Sequence, residues 1–152
     1  MNEEFGRLVN QLPHLLEQVV RSRGLDRSES RRLPKRGVYV FYEGGKPVYV
    51  GRSNRMKDRI LRHGRPSSGR ETATFAFNLA KEAAKQTGID VSKPRAQLAR
   101  DPCFADLFSD AKQKVSGMLV RGVEIKDPIV QTLFEVYAHI ALGTEYNDFD
   151  TH

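Results

Sequence analysis

The sequence predicts an α+β fold, in which a small three-stranded antiparallel or mixed β-sheet is flanked by helices, with N-terminal helices and a helical insertion. Residues 37–51 alternate as two short apolar strands around a glycine pair, and residues 117–127 form a third strand rich in Val, Ile and Leu. Elsewhere the apolar residues recur at helical spacing. A chain of 152 residues can bury one core without disulfides, so one compact domain is expected.

The N-terminal segment shows the helical period from Glu3 to Arg23, and Pro13 is expected to divide it into two helices. Residues 22–37 then contain few apolar residues and many arginines. We interpret them as a linker, which is either a solvated connector or an arm that grips DNA. Residues 1–36 are therefore assigned as N-terminal helices and basic linker, and residues 37–152 as the main domain.

The hairpin carries two tyrosines, Tyr39 and Tyr49, whose relative placement depends on the loop length because side chains alternate along a strand. A two-residue Gly44-Gly45 turn would mix phenols with valines on both faces. A three-residue loop over residues 43–45 would place Tyr39 opposite Tyr49, beside Phe41, and would gather the valines on the other face. We predict the three-residue loop. The two phenols are either an aromatic pair that stabilises the sheet or part of a site.

The hairpin is followed by a predicted helix with Ser53 or Asn54 as its N-cap and Gly64 as its end. At 100° per residue, three arginines fall within roughly 60° of one another on this helix: Arg55, Arg59 and Arg62. This basic face is either solvated or a phosphate site. Arg52 just before the helix, and the N–H groups of the helix start, favour a phosphate site.

Further helices are predicted at residues 72–88, at residues 102–116 after Asp101 and at residues 128–142 after Asp127. Glu135 is in the last of these, between apolar residues, so it is expected near the interior. A carboxylate removed from water needs a compensating partner, here either an arginine or a metal ion. One carboxylate can suffice for Mg²⁺, which keeps several waters and takes ligands from substrate phosphates.

Composition limits the class of partner and the compartment. A net charge of +6 and a pI near 9.6 favour a polyanionic partner such as nucleic acid. Cys103 is the single cysteine, so neither an internal disulfide nor a cysteine zinc site is expected. The sequence has no run of about 18 apolar residues and no secretory signal at its start. We therefore expect a cytoplasmic protein with no membrane partner.

The motifs and single residues that follow, six in all, resemble those of the GIY-YIG nuclease family. The two short motifs of that family match residues 37–39, Gly-Val-Tyr, and residues 49–51, Tyr-Val-Gly. The family's catalytic arginine, ten residues after the second tyrosine, matches Arg59, and its basic residue after the second motif matches Arg52. Its metal-binding glutamate matches Glu135, and an asparagine twelve residues later matches Asn147. The stretch from about 65 to 116 is longer than in compact members and is interpreted as an insertion.

The resemblance implies hydrolysis of a DNA phosphodiester with Mg²⁺ or Mn²⁺. Tyr49 would accept a proton from the attacking water, Arg59 would offset charge on the phosphoryl oxygens, and Glu135 would bind the metal. Tyr39 would position the water or relay its proton. Because a phenol titrates near pH 10 when unperturbed, Tyr49 would need nearby positive charge, from Arg52 or the metal, to act as a base.

Two further residues have an open assignment. His63 is a candidate proton carrier or simply an exposed histidine at a helix end. Asn147 either ties the chain after the last helix to the site or is a turn residue.

The expected partner is double-stranded or branched DNA, with a homodimer and a targeting partner protein as further candidates. A catalytically inactive nucleic-acid-binding module is the alternative function, and a protein-interaction domain using the inserted helices is a third.

Overall fold

The computed structural model describes residues 1–150 and confirms the α+β class, with three antiparallel strands and seven α-helices in that range. The helices are α1 (Glu3–Val9), α2 (Leu12–Arg21), α3 (Met56–His63), α4 (Thr74–Gln86), α5 (Arg95–Arg100), α6 (Pro102–Ser116) and α7 (Pro128–Leu142). None of the helices within residues 1–150 combines the length and apolar character that crossing a membrane requires.

The sheet consists of β1 (Gly37–Glu43), β2 (Lys46–Ser53) and β3 (Leu119–Glu124), in the order β2-β1-β3. Both neighbours of β1 run antiparallel to it. Gly37 begins the central strand with φ 151°, and a Cβ there would collide with the carbonyl oxygen of Val123. Glycine is therefore required where β1 and β3 approach each other.

The chain divides into two compact units, where the sequence analysis expects one domain. Unit 1 comprises Met1–Arg59 and the chain from Met118 onward, and unit 2 comprises Ile60–Gly117. The predicted insertion at 65–116 lies inside unit 2. The N-terminal helices, assigned above to a separate region, share unit 1 with the sheet.

In unit 1, one face of the sheet forms a core with α1, α2 and α7. Val38, Val40 and Val50 lie on this face, as predicted, and pack with apolar residues of the three helices, including Phe134 of α7. Fully burying each such side chain stabilises the fold by roughly 1.5–3 kcal/mol. This core fixes α7 against the sheet.

The segment between α2 and β1 has more structure than an irregular connector. Arg27–Arg32 is a 3₁₀ helix with a capping box, in which the side chains of Asp26 and Glu29 each accept from the other's backbone N–H. Leu25 and Val120 exchange two backbone hydrogen bonds of 2.8 Å, which attaches the segment to β3. The segment interpreted as a linker therefore contains a capped 3₁₀ helix and one bridge to the sheet.

Unit 2 is a helical cluster with an aromatic centre. Phe77 packs against Phe104 and Phe108, with ring centroids 5.0 and 5.6 Å apart. Lys112 is buried and donates hydrogen bonds to the carbonyl oxygens of Pro66 and Ser68, at 2.7 and 2.9 Å, which fixes the preceding loop. The helices predicted at 72–88 and 102–116 are present as α4 and α6, whereas α5 was not predicted.

Candidate active site

The hairpin register differs from the prediction, but the sorting of side chains is as expected. The turn contains two residues, Gly44 and Gly45, both with positive φ, instead of three. A β-bulge in β2 compensates, because the partner of Phe41 is Tyr49 while the partner of the next residue is Pro47. The extra residue in β2 keeps Tyr39, Phe41 and Tyr49 on one face of the hairpin, whereas a two-residue turn without a bulge would have placed Tyr49 on the other face.

Tyr39 consequently pairs with Gly51 and Phe41 pairs with Tyr49, so the predicted direct pairing of the two tyrosines is wrong. All three aromatic side chains still lie on one face. Tyr39 and Phe41 make an edge-to-face contact at 5.8 Å, and Phe41 and Tyr49 are tilted at 6.4 Å. We call this surface, Tyr39, Phe41 and Tyr49 with Gly51, the tyrosine face.

Tyr39 is flanked by glycine on both neighbouring strands. Its partners are Gly51 on β2 and Gly122 on β3. A Cβ at Gly51 would collide with the phenol of Tyr39, including a contact of 2.7 Å to Cε2. At Gly122 a Cβ would meet the sulfur of Met56 at 2.9 Å and Cδ2 of Leu33 at 3.0 Å. Glycine in the second motif thus makes room for the first tyrosine.

Arg59 forms a side-chain hydrogen bond with Tyr39. Tyr39 is fully buried, and desolvation together with the nearby Tyr49 raises the pKa of its phenol well above the usual value, although Arg59 opposes this. Tyr39 therefore remains protonated at neutral pH. Tyr49 is only partly buried, so its hydroxyl is the more accessible of the two to a ligand from solvent.

Glu135 extends from α7 and forms an ion pair with Arg52 of β2, with 3.8 Å between Arg52 Nε and Glu135 Oε1. The glutamate side chain is 21% exposed and the arginine 46%. Burial raises the pKa of Glu135, and Arg52 only partly offsets this. Glu135 is also close enough to Tyr39 to contribute to the raised pKa of that phenol. The arginine partner considered for Glu135 is therefore present.

Arg62 and His63, the last two residues of α3, belong to unit 2. Arg62 is exposed, whereas His63 is fully buried, with its ring edge against Phe75 at 6.5 Å. The alternative of an exposed histidine at the helix end is wrong, because this end of the helix packs into a core.

The start of α3 also differs from the prediction. The helix begins at Met56, beyond the expected caps Ser53 and Asn54. The Ser53 hydroxyl accepts from the Arg55 N–H at 2.9 Å, and the Met56 N–H donates to the Lys35 carbonyl at 2.9 Å. Because these N–H groups already have partners, the helix start offers less to an anion than expected. Arg52 and Arg55 are both exposed.

Asn147 binds the backbone of β2 as another strand would. Its side chain accepts from the Val50 N–H at 2.8 Å and donates to the Val50 carbonyl at 2.7 Å. The hydroxyl of Thr144 donates to the same Asn147 oxygen at 2.8 Å, and His139 holds Thr144 at 2.8 Å. Asn147 therefore positions the residue that follows Tyr49.

Sequence reasoning missed Gln131 of α7. This side chain is 2% exposed, and its amide donates to Ile125 O at 2.6 Å and Asn54 Oδ1 at 3.2 Å. It connects α7 to the residue that follows β3, Ile125, and to the residue that follows β2, Asn54. The signal was an amide in an otherwise apolar helix face, one turn before Glu135.

Tyr39 thus lies within electrostatic range of Tyr49, Arg59 and Glu135, and Glu135 lies within range of Arg52. Within residues 1–150 no group of three or more His, Cys, Asp or Glu side chains is placed to hold a metal ion. Comparisons with protein-family models, with curated proteins and with solved structures found no match to this chain.

Proposed function

We propose that this protein is a divalent-metal-dependent DNA endonuclease, as the resemblance to the GIY-YIG family implies. The observation that carries the proposal is the convergence of two tyrosines, an arginine and a partly buried glutamate that are far apart in sequence. Perturbed titratable groups of this kind concentrate at functional sites. The net charge of +6 fits a polyanionic substrate.

The proton chemistry is divided between the two phenols. Tyr49 is the proposed base: as a phenolate it would take a proton from the attacking water while the bond from phosphorus to the leaving oxygen breaks, and the leaving alkoxide would take its proton from solvent. Tyr39, held protonated by burial, orients the water or the phosphate through its hydroxyl. Arg59 has five N–H donors, so it can bind Tyr39 and still offset charge on the phosphoryl oxygens.

Mg²⁺ or Mn²⁺ is part of the proposal, with Glu135 as the protein ligand. A single partly buried carboxylate fits these ions, because Mg²⁺ is commonly bound through one or two carboxylates plus substrate phosphates. The raised pKa of Glu135 supports this fit, since Arg52 alone does not compensate its burial. A bound ion would supply Lewis-acid activation of the phosphate.

The test is cleavage of plasmid and branched DNA with Mg²⁺ or Mn²⁺. Tyr49→Phe and Glu135→Ala should each lower the rate by about a hundredfold or more, the range for losing a general base or an electrostatic stabiliser. Tyr42→Phe is the control for the first, since Tyr42 is on the same hairpin and the opposite face. Glu124→Ala, an exposed glutamate on β3, is the control for the second. Cleavage that survives Glu135→Ala would refute the mechanism.

A catalytically inactive nucleic-acid-binding module is the second candidate. The Arg52–Glu135 ion pair favours it, because a glutamate already paired with a cation can be purely structural. This function requires salt-sensitive DNA binding with no cleavage under any metal condition.

A homodimer is proposed only for the nuclease, since one site cuts one strand at a time. Light scattering with and without DNA tests whether the protein forms this dimer.

A further inference from the structure

The strand that carries Tyr49 lies at the edge of the sheet, and the chain after α7 covers that edge. Because β2 is the first strand in the order β2-β1-β3, the backbone groups on its outer side need partners from outside the sheet. The Val48 carbonyl accepts from the Tyr146 N–H at 3.3 Å. The Val50 N–H and carbonyl are both bound by the side chain of Asn147, at 2.8 and 2.7 Å. Both sequence neighbours of Tyr49 are therefore held by the chain after α7.

The β-bulge in β2 makes this support important for Tyr49. Val48 is the extra residue of the bulge, because Tyr49 pairs with Phe41 while Pro47 pairs with the next residue of β1. The extra residue of a bulge is left out of the ladder, and bulges beside active sites change the direction of a side chain. The direction of the Tyr49 side chain therefore depends on the contacts that hold the outer side of β2.

The hydrogen bonds to Asn147 have a fixed direction. The Val50 N–H can only donate and its carbonyl can only accept, so Oδ1 of Asn147 faces the N–H and Nδ2 faces the carbonyl. Thr144 Oγ1 is 2.8 Å from the same Oδ1 atom, which can only accept. The Thr144 hydroxyl has one hydrogen, and this hydrogen is therefore donated to Asn147.

His139 of α7 must consequently donate to Thr144. The distance between His139 Nδ1 and Thr144 Oγ1 is 2.8 Å. Because the hydroxyl hydrogen of Thr144 is already donated, its oxygen accepts from the ring, so His139 carries a hydrogen on Nδ1. In the neutral ring, Nε2 is then the unprotonated nitrogen. One connected chain of hydrogen bonds thus leads from His139 through Thr144 and Asn147 to Val50.

This chain is shielded from water at its centre. Thr144 is 3% exposed, and the Phe149 ring packs on the His139 ring with 5.0 Å between the centroids. The Thr144 N–H also donates to the His139 carbonyl at 3.3 Å, so His139 holds Thr144 through both its ring and its backbone. Removing one member of a buried chain leaves its partner without a hydrogen bond, which costs more than the bond itself contributes.

We propose that His139 is a positioning residue of the candidate active site, which donates from Nδ1 to Thr144 and so keeps Asn147 and the strand of Tyr49 in place. The proposal rests on the proposed function, in which Tyr49 is the base. His139 does not touch the substrate in this role. A displacement of a catalytic group by about 1 Å can lower a rate about a hundredfold, so the chain affects the rate of cleavage and leaves DNA binding unchanged.

The first test determines the tautomer of His139 in the full-length protein. Long-range proton–nitrogen NMR spectra in alkaline solution, where histidine rings are neutral, distinguish a hydrogen on Nδ1 from one on Nε2. The spectrum of His139→Asn identifies which signals belong to His139. We expect the hydrogen on Nδ1. A hydrogen on Nε2 would overturn the proposal, because the ring could then only accept from Thr144.

The second test removes or keeps the hydroxyl at Thr144. Thr144→Val keeps the shape of the side chain without a hydroxyl, whereas Thr144→Ser keeps the hydroxyl. Thr144→Val should accelerate amide exchange of the Val50 N–H about fivefold, the factor for one net hydrogen bond, and should lower kcat of DNA cleavage about tenfold with KM unchanged. Thr144→Ser should remain close to wild type in both. Equal effects of the two variants, or a change in KM alone, would overturn the proposal.

The third test varies the donor at position 139. Asn has an N–H donor in the place of Nδ1, so His139→Asn should retain most of the rate, whereas His139→Leu has no donor and should lower kcat about tenfold. The exposed histidine on α2 provides the control, and His14→Leu should leave kcat and the Val50 exchange unchanged. All rates are compared at a temperature at which urea denaturation shows each variant to be folded. Equal losses of kcat in His139→Asn and His139→Leu would overturn the proposal.

Failure of this proposal can be distinguished from failure of the nuclease proposal, because the tautomer and the Val50 exchange are measured without DNA. A protein that cuts DNA while His139 carries its hydrogen on Nε2 would refute only the role of His139. A protein that never cuts DNA with any metal, but gives both expected NMR results, would refute the nuclease and leave His139 as a structural support of β2.

Discussion

On one face of the sheet Val38, Val40 and Val50 pack against the helices, whereas on the other Tyr39 and Phe41 lie beside glycines and an arginine. Both faces are well buried where they meet β1, yet by different means. The valine face fills space with interlocking aliphatic side chains. The tyrosine face makes room instead, since both strand neighbours of Tyr39 lack a side chain.

The difference also concerns charge. The valine core consists of apolar residues, so it gains stability from burial alone. The tyrosine face buries a phenol, and the nearby Glu135 is a partly desolvated carboxylate, both with pKa values raised by burial. Burying such groups costs stability, because each loses its hydration. The following substitutions test this contrast.

The largest loss of stability is expected on the valine side. Phe134 is fully buried in that core, and Phe134→Ala should lower the free energy of unfolding by about 3–5 kcal/mol through lost contacts and a cavity. Val136→Ala on the same helix changes a side chain that is 40% exposed and should cost about 0.5 kcal/mol or less. Urea denaturation measures both. Similar losses for the two variants would contradict the assignment of the core.

The next largest effect is expected at the glycine beneath Tyr39. Gly51→Ala places a methyl group into the phenol, which must move, so we expect a loss of about 1–3 kcal/mol and disruption of the Tyr39–Arg59 hydrogen bond. Gly69→Ala is the control, because nothing lies within 4 Å of its added Cβ. Urea denaturation and the tyrosine NMR signals report the two changes. An unchanged Tyr39 environment would show that the glycine is not needed for this packing.

Much of the fold could be predicted because its signals are local. Asp101 and Asp127, each followed by proline, predict the starts of α6 and α7. Both side chains accept hydrogen bonds from N–H groups in the first turn of their helix, as expected. The two faces of the hairpin followed from alternation. The register of the hairpin did not follow from alternation. A three-residue loop and a two-residue turn with a bulge place the same side chains on the same face, and only the packing of Tyr39 against Gly51 distinguishes the two arrangements.

The site was harder to predict than the fold because it depends on contacts between distant segments. Arg59, Tyr39 and Glu135 could be named from spacing and resemblance, and the structure places them in one unit. The pairing of Gly122 with Tyr39 could not be predicted, since Gly122 lies more than eighty residues after Tyr39 in the sequence. His63 looked exposed because a helix end says nothing about the core it enters.

A smaller effect is expected at the link that supports β2. Asn147→Ala removes two hydrogen bonds to Val50, and at about 1 kcal/mol each the free energy of unfolding should fall by about 1–2 kcal/mol. Asn10→Ala, at the exposed C-cap of α1, is the matched control and should change it little. Because β2 carries Tyr49, amide exchange of the Val50 N–H should also accelerate in Asn147→Ala. Unchanged exchange would show that the link is not what holds the strand.

The smallest effect, and the one with a distinctive pH dependence, is expected at Glu135. Burial raises its pKa above the ordinary value of 4.5, so the folded state favours the protonated form. The stability that this group contributes is therefore present below the ordinary pKa and is lost as the pH rises through the raised one. Glu135→Gln, which is neutral at every pH, should consequently be more stable than wild type at neutral pH, and the difference should disappear in acid. Urea denaturation across this range measures the difference, with Glu124→Gln as the exposed control. Destabilisation by Glu135→Gln at neutral pH would mean that the Arg52 ion pair outweighs the cost of burial, and Glu135 would then belong with the structural residues of the valine side.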